Sequence, residues 1–527
     1  MYPILLIITF LPLLGGIAIL FIPKQYVGAM RWTAFAVACV NVFQALALML
    51  TYSQANPTTA SPVIGSAPNG TFLYSELIPW IPSLGINYSL GVDGISLLLV
   101  VLTTLLTLVC IGASFRVEQK VKNYMAFMLL LETGIIGVFL STNLFLFYIF
   151  WEVMLIPAYF LVGSWGGERR IYAAFKFVLY TSVGSLLMLA GIIAVGYYHR
   201  LAAGGACSYT LDLATLLNTA STCSGTINTT VQIWLFLAFA AAFVVKVPFI
   251  PFHSWLPDAY SEAPAPVTAM LAGAMSKTGA YGFLRFCLPL FPSAAHTLAP
   301  LFNSLAVAGI LYCAVLALVQ TDLKRLLAYS SISHLGIVML GMFAFNAQGI
   351  EGSVLQMVNH GITIAALFLI VGFIEARTGT RNINDFGGIA GRVPVLATAM
   401  LIAALSSLGL PGLNSFAGEF LALLGAFRNS ALFGLLGTAV IIPAAWYMIR
   451  FFLGVMEGPL KAESVVGSLV RKGKLYDLQF GEFLSLSPLL LLIFYIGIQP
   501  APLTFLMEQS VINTLNTLQG LGSVFIR

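Results

Sequence analysis

The sequence predicts an all-α polytopic membrane protein of about fourteen transmembrane helices. Three observations carry that expectation. The 527 residues include only 43 charged ones, 24 basic and 19 acidic, where a soluble protein has roughly a quarter. Hydrophobic residues make up 59% and the mean hydropathy is +0.97, so most of the chain is solvated by lipid. Apolar runs long enough to cross about 30 Å of hydrocarbon recur from end to end. This composition excludes nucleic-acid binding, a secreted disulfide scaffold and a cytosolic enzyme. The six cysteines (39, 110, 207, 223, 287 and 313) form no CxxC pair, so neither a zinc site nor an iron–sulfur cluster is expected. No GxGxxG opens a helix after a strand and no GxxxxGK[ST] occurs, which leaves no recognisable nucleotide site.

Taken in order, the first run is MYPILLIITFLPLLGGIAILFIP, with a span at 3–22. It has no basic n-region and is long enough to cross, so it reads as a retained helix and not a cleaved signal peptide. A span at 32–52 precedes a hydrophilic stretch, 53–90. Four spans follow at 91–114, 123–141, 143–163 and 173–197, then a second hydrophilic stretch, 198–230. The remaining eight are 231–256, 265–287, 298–320, 326–345, 352–375, 394–424, 432–454 and 484–507, and the two longest, 231–256 and 394–424, are interrupted by Pro and Gly. The largest late loop, 455–483, is too short for a soluble domain, so residues 1–527 read as a single integral membrane domain that works inside the membrane.

Charge tests this map independently, because short cytoplasmic loops carry an excess of Lys and Arg. Loops after odd-numbered spans, with their helix ends, hold eighteen of the 24 bases, from Lys24 and Arg31 to Lys472 and Lys474. The opposite side holds Arg200, Arg285, Arg428 and Arg527, and Lys246 and Lys277 fall inside spans. One missed or invented helix would scramble this asymmetry. Both termini are therefore expected on the non-cytoplasmic side, together with 53–90 and 198–230. The second of these holds Cys207 and Cys223, which could form a disulfide in an oxidising compartment or remain two thiols. The loop after the seventh span has Asp258 and Glu262 and no base; it reads equally as a proton entrance or a solvated acidic turn.

An ionisable group at bilayer depth costs about 2.5–3.5 kcal/mol even on lenient scales, so mid-span charges point to a pathway. Glu152 lies about ten residues from either end of its span, some 15 Å deep. Lys277 is equally central, and Gly273, Gly279, Ser276 and Thr278 around it suggest close packing and access for water. Lys246 stands two residues before Pro248; Pro248 frees the carbonyl of Val244 and Pro251 that of Val247, which predicts a helix break beside the lysine. Exposed backbone at that depth is tolerated only inside protein or along a water-filled cavity. The twelfth span repeats the device with Gly409, Pro411 and Gly412, and Glu419 just beyond. Two broken helices in corresponding places suggest an inverted structural repeat with an ion path at its core. Glu132 is mid-span in the fourth helix. His334 and His360 lie between the breaks in sequence, and a histidine takes and releases protons with little help. Against this stand a satisfied core histidine, a static Glu–Lys pair and prolines that merely kink helices. Lys176, Asp322, Lys324 and Arg325 fall near the cytoplasmic face, where a solvated charge is the simpler reading.

The strings FWEVMLIPAYFLVGSWGG (150–167), KVPFIPFHSWLPDAYSEAPAPVTAMLAGAMSKTGAYG (246–282), LKRLLAYSSISHLG (323–336) and SLGLPGLNSFAGEF (407–420) resemble the antiporter-like membrane subunits of respiratory complex I. They are also similar to Mrp sodium/proton antiporter and membrane-bound hydrogenase subunits. Within the complex I group the chain looks most like the chain M type, the homologue of mitochondrial subunit 4. The glutamate at 419, where the other types typically carry a lysine, favours it, as does the short tail after the last span. The resemblance implies two inverted five-helix repeats, about 123–287 and 298–454, with the seventh and twelfth helices broken. It implies a proton path over Glu152, Lys246, Lys277 and Glu419, with His334 and His360 as the connecting relay; Glu132, Asp258 and Glu262 are weaker members. A Glu152–Lys246 pair that opens and closes would drive a proton to Lys277 and on by His334, His360 and water to Glu419.

Further expectations follow from the same resemblance. This chain would bind no cofactor, while partner subunits would hold NADH, FMN, iron–sulfur clusters and quinone. Its partners would be the other membrane-arm subunits, neighbouring antiporter-like subunits included, and lipid. It would act as part of a proton-pumping NADH:quinone oxidoreductase of a respiratory chain, without a redox centre of its own, in a bacterial inner membrane with both termini periplasmic. An Mrp-type antiporter subunit or a membrane-bound hydrogenase subunit is the alternative.

Overall fold

A computed structural model describes residues 3–54, 72, 74–81, 84–202, 209–217, 227–461 and 463–519. Cys207 and Cys223 lie outside these residues, and the disulfide expectation with them. Helices dominate because hydrocarbon offers the backbone no partner but itself. The chain begins with α1 (Ile4–Phe21) and α2 (Val27–Gln54). Pro3 gives α1 no side-chain cap. Instead, Glu76 from a later loop accepts from Leu5 N at 3.0 Å and Leu6 N at 3.1 Å. Glu76 sits on β1 (Tyr74–Ile81), which pairs antiparallel with β2 (Ile86–Val92), Tyr74 facing Val92. This hairpin corrects the all-helical expectation. It lies in the stretch 53–90 except for its last two residues, which enter the expected span 91–114; there a ladder satisfies the backbone as well as a helix does, and long apolar runs do not reveal it.

Asp93 and Ser96 close a capping box over α3 (Gly94–Ala113), followed by α4 (Val121–Leu140). The fifth span is two helices, α5 (Leu144–Val153) and α6 (Leu155–Trp165). They part at Met154 because Pro157 lacks the N–H that would bond Val153 O. α7 (Arg170–Ala202) and the short α8 (Leu213–Leu217) lead to α9 (Thr229–Lys246) and α10 (Trp255–Glu262), the two halves of the seventh span. The eighth runs through α11 (Ala265–Met270), α12 (Lys277–Gly282) and α13 (Leu288–Leu290), with π-helical turns at Leu271–Met275 and Phe283–Cys287. α14 (Pro292–Val319), α15 (Leu323–Met342) and α16 (Ala347–Thr378) are unbroken. α17 (Pro394–Ser407) and α18 (Asn414–Asn429) make the twelfth span, and α19 (Ala431–Thr438) and α20 (Ile441–Met456) the thirteenth, which Pro443 interrupts as Pro157 does the fifth. After α21 (Val465–Arg471) come α22 (Phe480–Ile498) and α23 (Ala501–Gln519). The last expected span, 484–507, thus divides at Pro500, and its second part is a separate helix against α3.

Among the described residues, twelve helical stretches are long and apolar enough to cross a membrane. The expected spans 265–287 and 394–424 fall outside that set because both are interrupted. Burial sorts inner from outer helices. Of the apolar windows of α16 and α15, 94% and 89% are enclosed by protein, against 33% for α2 and α22. Both long breaks are locally satisfied. Phe249 N takes the Val244 carbonyl freed by Pro248 (3.0 Å), and Trp255 Nε1 takes Val245 O (2.9 Å). At the other break Gly409 and Gly412 have φ of +78° and +92°, a left-handed backbone that glycine adopts without strain.

Candidate functional site

The π-helical turn Leu271–Met275 sets the first element of the site. A wider turn leaves carbonyls without their i+4 partner. Ser276 N reaches back to Leu271 O at 2.9 Å, while Ala272 O accepts from Ser276 Oγ at 2.8 Å and from Lys277 Nζ. The fully buried ammonium also lies 2.8 Å from His360 Nδ1 and 3.3 Å from Ser276 Oγ. Small residues bring the two helices this close. A Cβ at Gly361 would stand 2.7 Å from Gly273 O, and one at Gly279 would stand 2.9 Å from Lys246 Cβ, the close packing expected around Lys277.

Across the inner pair α15–α16 the chain of groups continues. The His360 and His334 ring centres are 5.6 Å apart. His334 Nδ1 is 2.7 Å from Glu419 Oε1, which also accepts from Gln356 Nε2 at 2.8 Å. His334 Nε2 has Ser407 Oγ and Tyr447 OH each at 3.5 Å. The order in space is Lys277, His360, His334, Glu419, so the two histidines follow each other opposite to their order in the chain. Glu419 lies against the twelfth-helix break, with Oε2 3.0 Å from where a Cβ on Gly409 would be. Neutral polar groups hold that break. Asn414 Nδ2 donates to Asn359 O (3.1 Å), Asn359 Nδ2 to Asn414 O (2.6 Å), and Ser406 Oγ to Asn414 Oδ1 (2.6 Å).

Lys246 ends α9 at the other break, fully buried. Its Nζ makes no hydrogen bond among the described residues and sits 5.4 Å from the Trp151 ring centre and 5.3 Å from that of Phe177, a cation–π cage. Half-buried Glu152 follows Trp151, and its Oε1 likewise has no protein partner. The two are neighbours that are not joined as an ion pair. Glu132 stands apart: it is fully buried on α4, with Oε1 accepting from Asn41 Nδ2 of α2 at 2.8 Å.

Asp258 and Glu262 are both engaged, at the end where most ion pairs of the described residues gather. Asp258 bridges Lys176 (2.7 Å) and Arg325 (3.0 Å). Glu262 accepts from Arg169 N at 2.9 Å and faces Arg381 at 3.7 Å. Arg381 also meets Asp322, and Lys324 meets Glu375 at 2.8 Å. Between them opens a cavity of about 410 Å3, lined by Arg116, Glu262, Lys324, Glu375 and Arg381, and by residues 263–266, the link after α10 and the start of α11.

Sequence reasoning missed Trp151, Gln356, Asn359, Asn414 and Tyr447. It searched the spans for charge, whereas an uncharged amide in hydrocarbon is also costly unless bonded. Asn and Gln in mid-span were the available signal.

A bundle of membrane-length helices with two broken ones, and a Lys–His–His–Glu chain of ionisable side chains between the breaks, defines a multi-pass membrane protein with titratable groups in its interior. The chain belongs to the family described as NADH:quinone oxidoreductase/Mrp antiporter, transmembrane, whose pattern matches residues 141–442. NADH-quinone oxidoreductase subunit M of Rickettsia bellii is 38% identical over 520 residues, 97% of this chain and 98% of its own. NADH-ubiquinone oxidoreductase chain 4 of Marchantia polymorpha is 37% identical over 505 residues, 95% of each. Among solved structures, a chain of respiratory complex I from Thermus thermophilus superposes with a TM-score of 0.83 at 30% identity, covering 98% of this chain and 99% of that one. A chain of the Mrp complex from Dietzia shares the fold, with a TM-score of 0.78 at 20% identity and 97% of each covered.

Proposed function

We propose that this chain is the proton-translocating subunit M of an NADH:quinone oxidoreductase, moving protons along Lys277, His360, His334 and Glu419 with energy from redox chemistry in partner subunits. The observation that carries the reading is the Lys277–His360 contact of 2.8 Å together with the His334–Glu419 contact of 2.7 Å. All four groups can take up and release a proton. Lys246 and Glu152 act as the switch. At about 4 Å and an effective dielectric of 20 such a pair is worth about 4 kcal/mol, so closing it holds the lysine's proton and opening it releases the proton. The aromatic rings around Lys246 Nζ, with no bond from it to Glu152, fit the open arrangement of such a switch. The cavity of about 410 Å3 is on the cytoplasmic side and admits water toward the eighth helix; the termini are periplasmic, in a bacterial inner membrane. The repeats 123–287 and 298–454 place one break each. Membrane-arm subunits and lipid cover the outer helices, and NADH, FMN, iron–sulfur clusters and quinone belong to the partners, this chain holding no redox centre.

Near 38% identity over almost the full length to subunit M favours this over sodium/proton exchange of the Mrp type, where 20% identity carries the fold alone. Lys277→Ala tests the reading in the whole complex. Assembly and NADH oxidation are expected to persist and proton pumping to fall, and undiminished pumping would falsify the axis. Pumping that requires sodium would favour the exchanger instead.

A further inference from the structure

Arg285 stands eight residues beyond Lys277 on the eighth helix, about 12 Å further along it, in the second π-helical turn. Its Nη2 lies 2.6 Å from Asp93 Oδ2, with side chains only 8% and 3% exposed. Asp93 uses its other oxygen, Oδ1, to cap α3 at Ser96 N (2.9 Å). Arg285 Nε donates to Tyr281 OH (3.2 Å), which donates to Phe139 O at the end of α4 (2.7 Å). The rings of Phe72 and Tyr281 flank the guanidinium at 5.2 and 5.3 Å. Helix α23 closes over this cluster. Gly94 N donates to Ser510 Oγ at 3.0 Å, and the Leu506 backbone leaves no room for a Cβ at Gly94. The space beside the pair, lined by Asp93, Arg285, Ser510 and Asn513, is about 20 Å3. That volume holds one water and not a file of them.

Lys277, His360, His334 and Glu419 all exchange protons, whereas a guanidinium stays charged and cannot hand its proton on. A relay that reaches Arg285 ends there, and its fixed charge opposes a hydronium ion. We infer that the Arg285–Asp93 pair beneath α23 is a seal that stops protons on the non-cytoplasmic face from leaking back along the eighth helix into the Lys277–Glu419 axis. Such a seal matters because each proton that leaks back undoes the work of moving it against the membrane potential. The inference rests on the reading that Lys277 carries protons.

The test uses the whole complex in proteoliposomes loaded with a pH-sensitive dye, under a potassium diffusion potential and without NADH. Arg285→Met combined with Asp93→Asn removes both charges, avoids stranding one of them and keeps a cap on α3, since Asn caps as well as Asp. NADH oxidation is expected to persist while passive proton flux rises about tenfold, equivalent to a barrier lowered by about 1.4 kcal/mol. Adding Lys277→Ala is expected to return the flux to the native level. A native flux in the double variant overturns the seal, and so does a raised flux that Lys277→Ala leaves unchanged. If the double variant does not assemble, Arg285→Lys keeps the pair but installs a releasable proton, and its flux is expected to rise about threefold; a native flux there also overturns the seal. Pumping by Lys277→Ala alone, scored separately, distinguishes failure of the proton-carrying reading from failure of the seal.

Discussion

The contact between Lys277 and His360 depends on two residues that have no side chain at all. Gly273 and Gly361 let the eighth helix and α16 meet backbone to backbone within one turn of the lysine. A methyl group at 361 would stand 2.7 Å from Gly273 O, so the helices must separate or the chain must strain, at a cost of about 1–3 kcal/mol. Gly361→Ala is therefore expected to lower the number of protons pumped per NADH oxidised while leaving oxidation itself intact. An unchanged ratio in reconstituted vesicles would mean that the lysine–histidine distance is not what this approach sets.

At the scale of the element, the informative features are interruptions. The breaks of the seventh and twelfth helices were legible because Pro and Gly cluster beside ionisable residues in 246–251 and 409–419. The weaker breaks at Met154 and near Ala439 follow from single prolines, Pro157 and Pro443, and single prolines in membrane helices often do no more than bend them. The π-helical turn Leu271–Met275 had no readable signature, since it goes with Ser276 Oγ and Lys277 Nζ sharing the Ala272 carbonyl. Of the site, Glu152, Lys246, Lys277 and Glu419 stood out by charge. The amides that fix the geometry did not, because a polar side chain declares its partner only once two helices are side by side. Asn414 illustrates this, linking α18 to Asn359 and Ser406. Asn414→Ala leaves buried partners unbonded and is expected to cost about 1–3 kcal/mol, read as a lower midpoint for heat-induced loss of the assembled complex. Thr363→Val, which gives up a 2.8 Å hydrogen bond with Ser406 and a 3.3 Å contact with Asn414 but leaves both Asn359–Asn414 bonds in place, is expected to shift it less.

For the whole molecule, the charges divide by position into those that orient the bundle and those enclosed by it. The pairs Lys176–Asp258–Arg325, Lys324–Glu375 and Arg381–Asp322 gather at one end, which agrees with the sorting of bases by loop. That end is expected to face the cytoplasm. A membrane-impermeant maleimide should modify the exposed Lys472→Cys variant in inside-out vesicles only, and Gln509→Cys in right-side-out vesicles only. The reverse labelling would invert the direction assigned to the axis.

The carboxylate of Glu76 on the Leu5 and Leu6 amides in the first turn of α1 also has a meaning in time. The ribosome releases Leu5 about seventy residues before the group that caps it, so the first helix enters the bilayer with its amino end unfinished. Only when the hairpin Tyr74–Val92 has been made can that end be locked. Until then the helix lacks those two bonds, which a segment made after α2 supplies. An extension added ahead of Met1 would compete with Glu76 for those amides during synthesis, a hazard that a fusion at the other terminus does not carry.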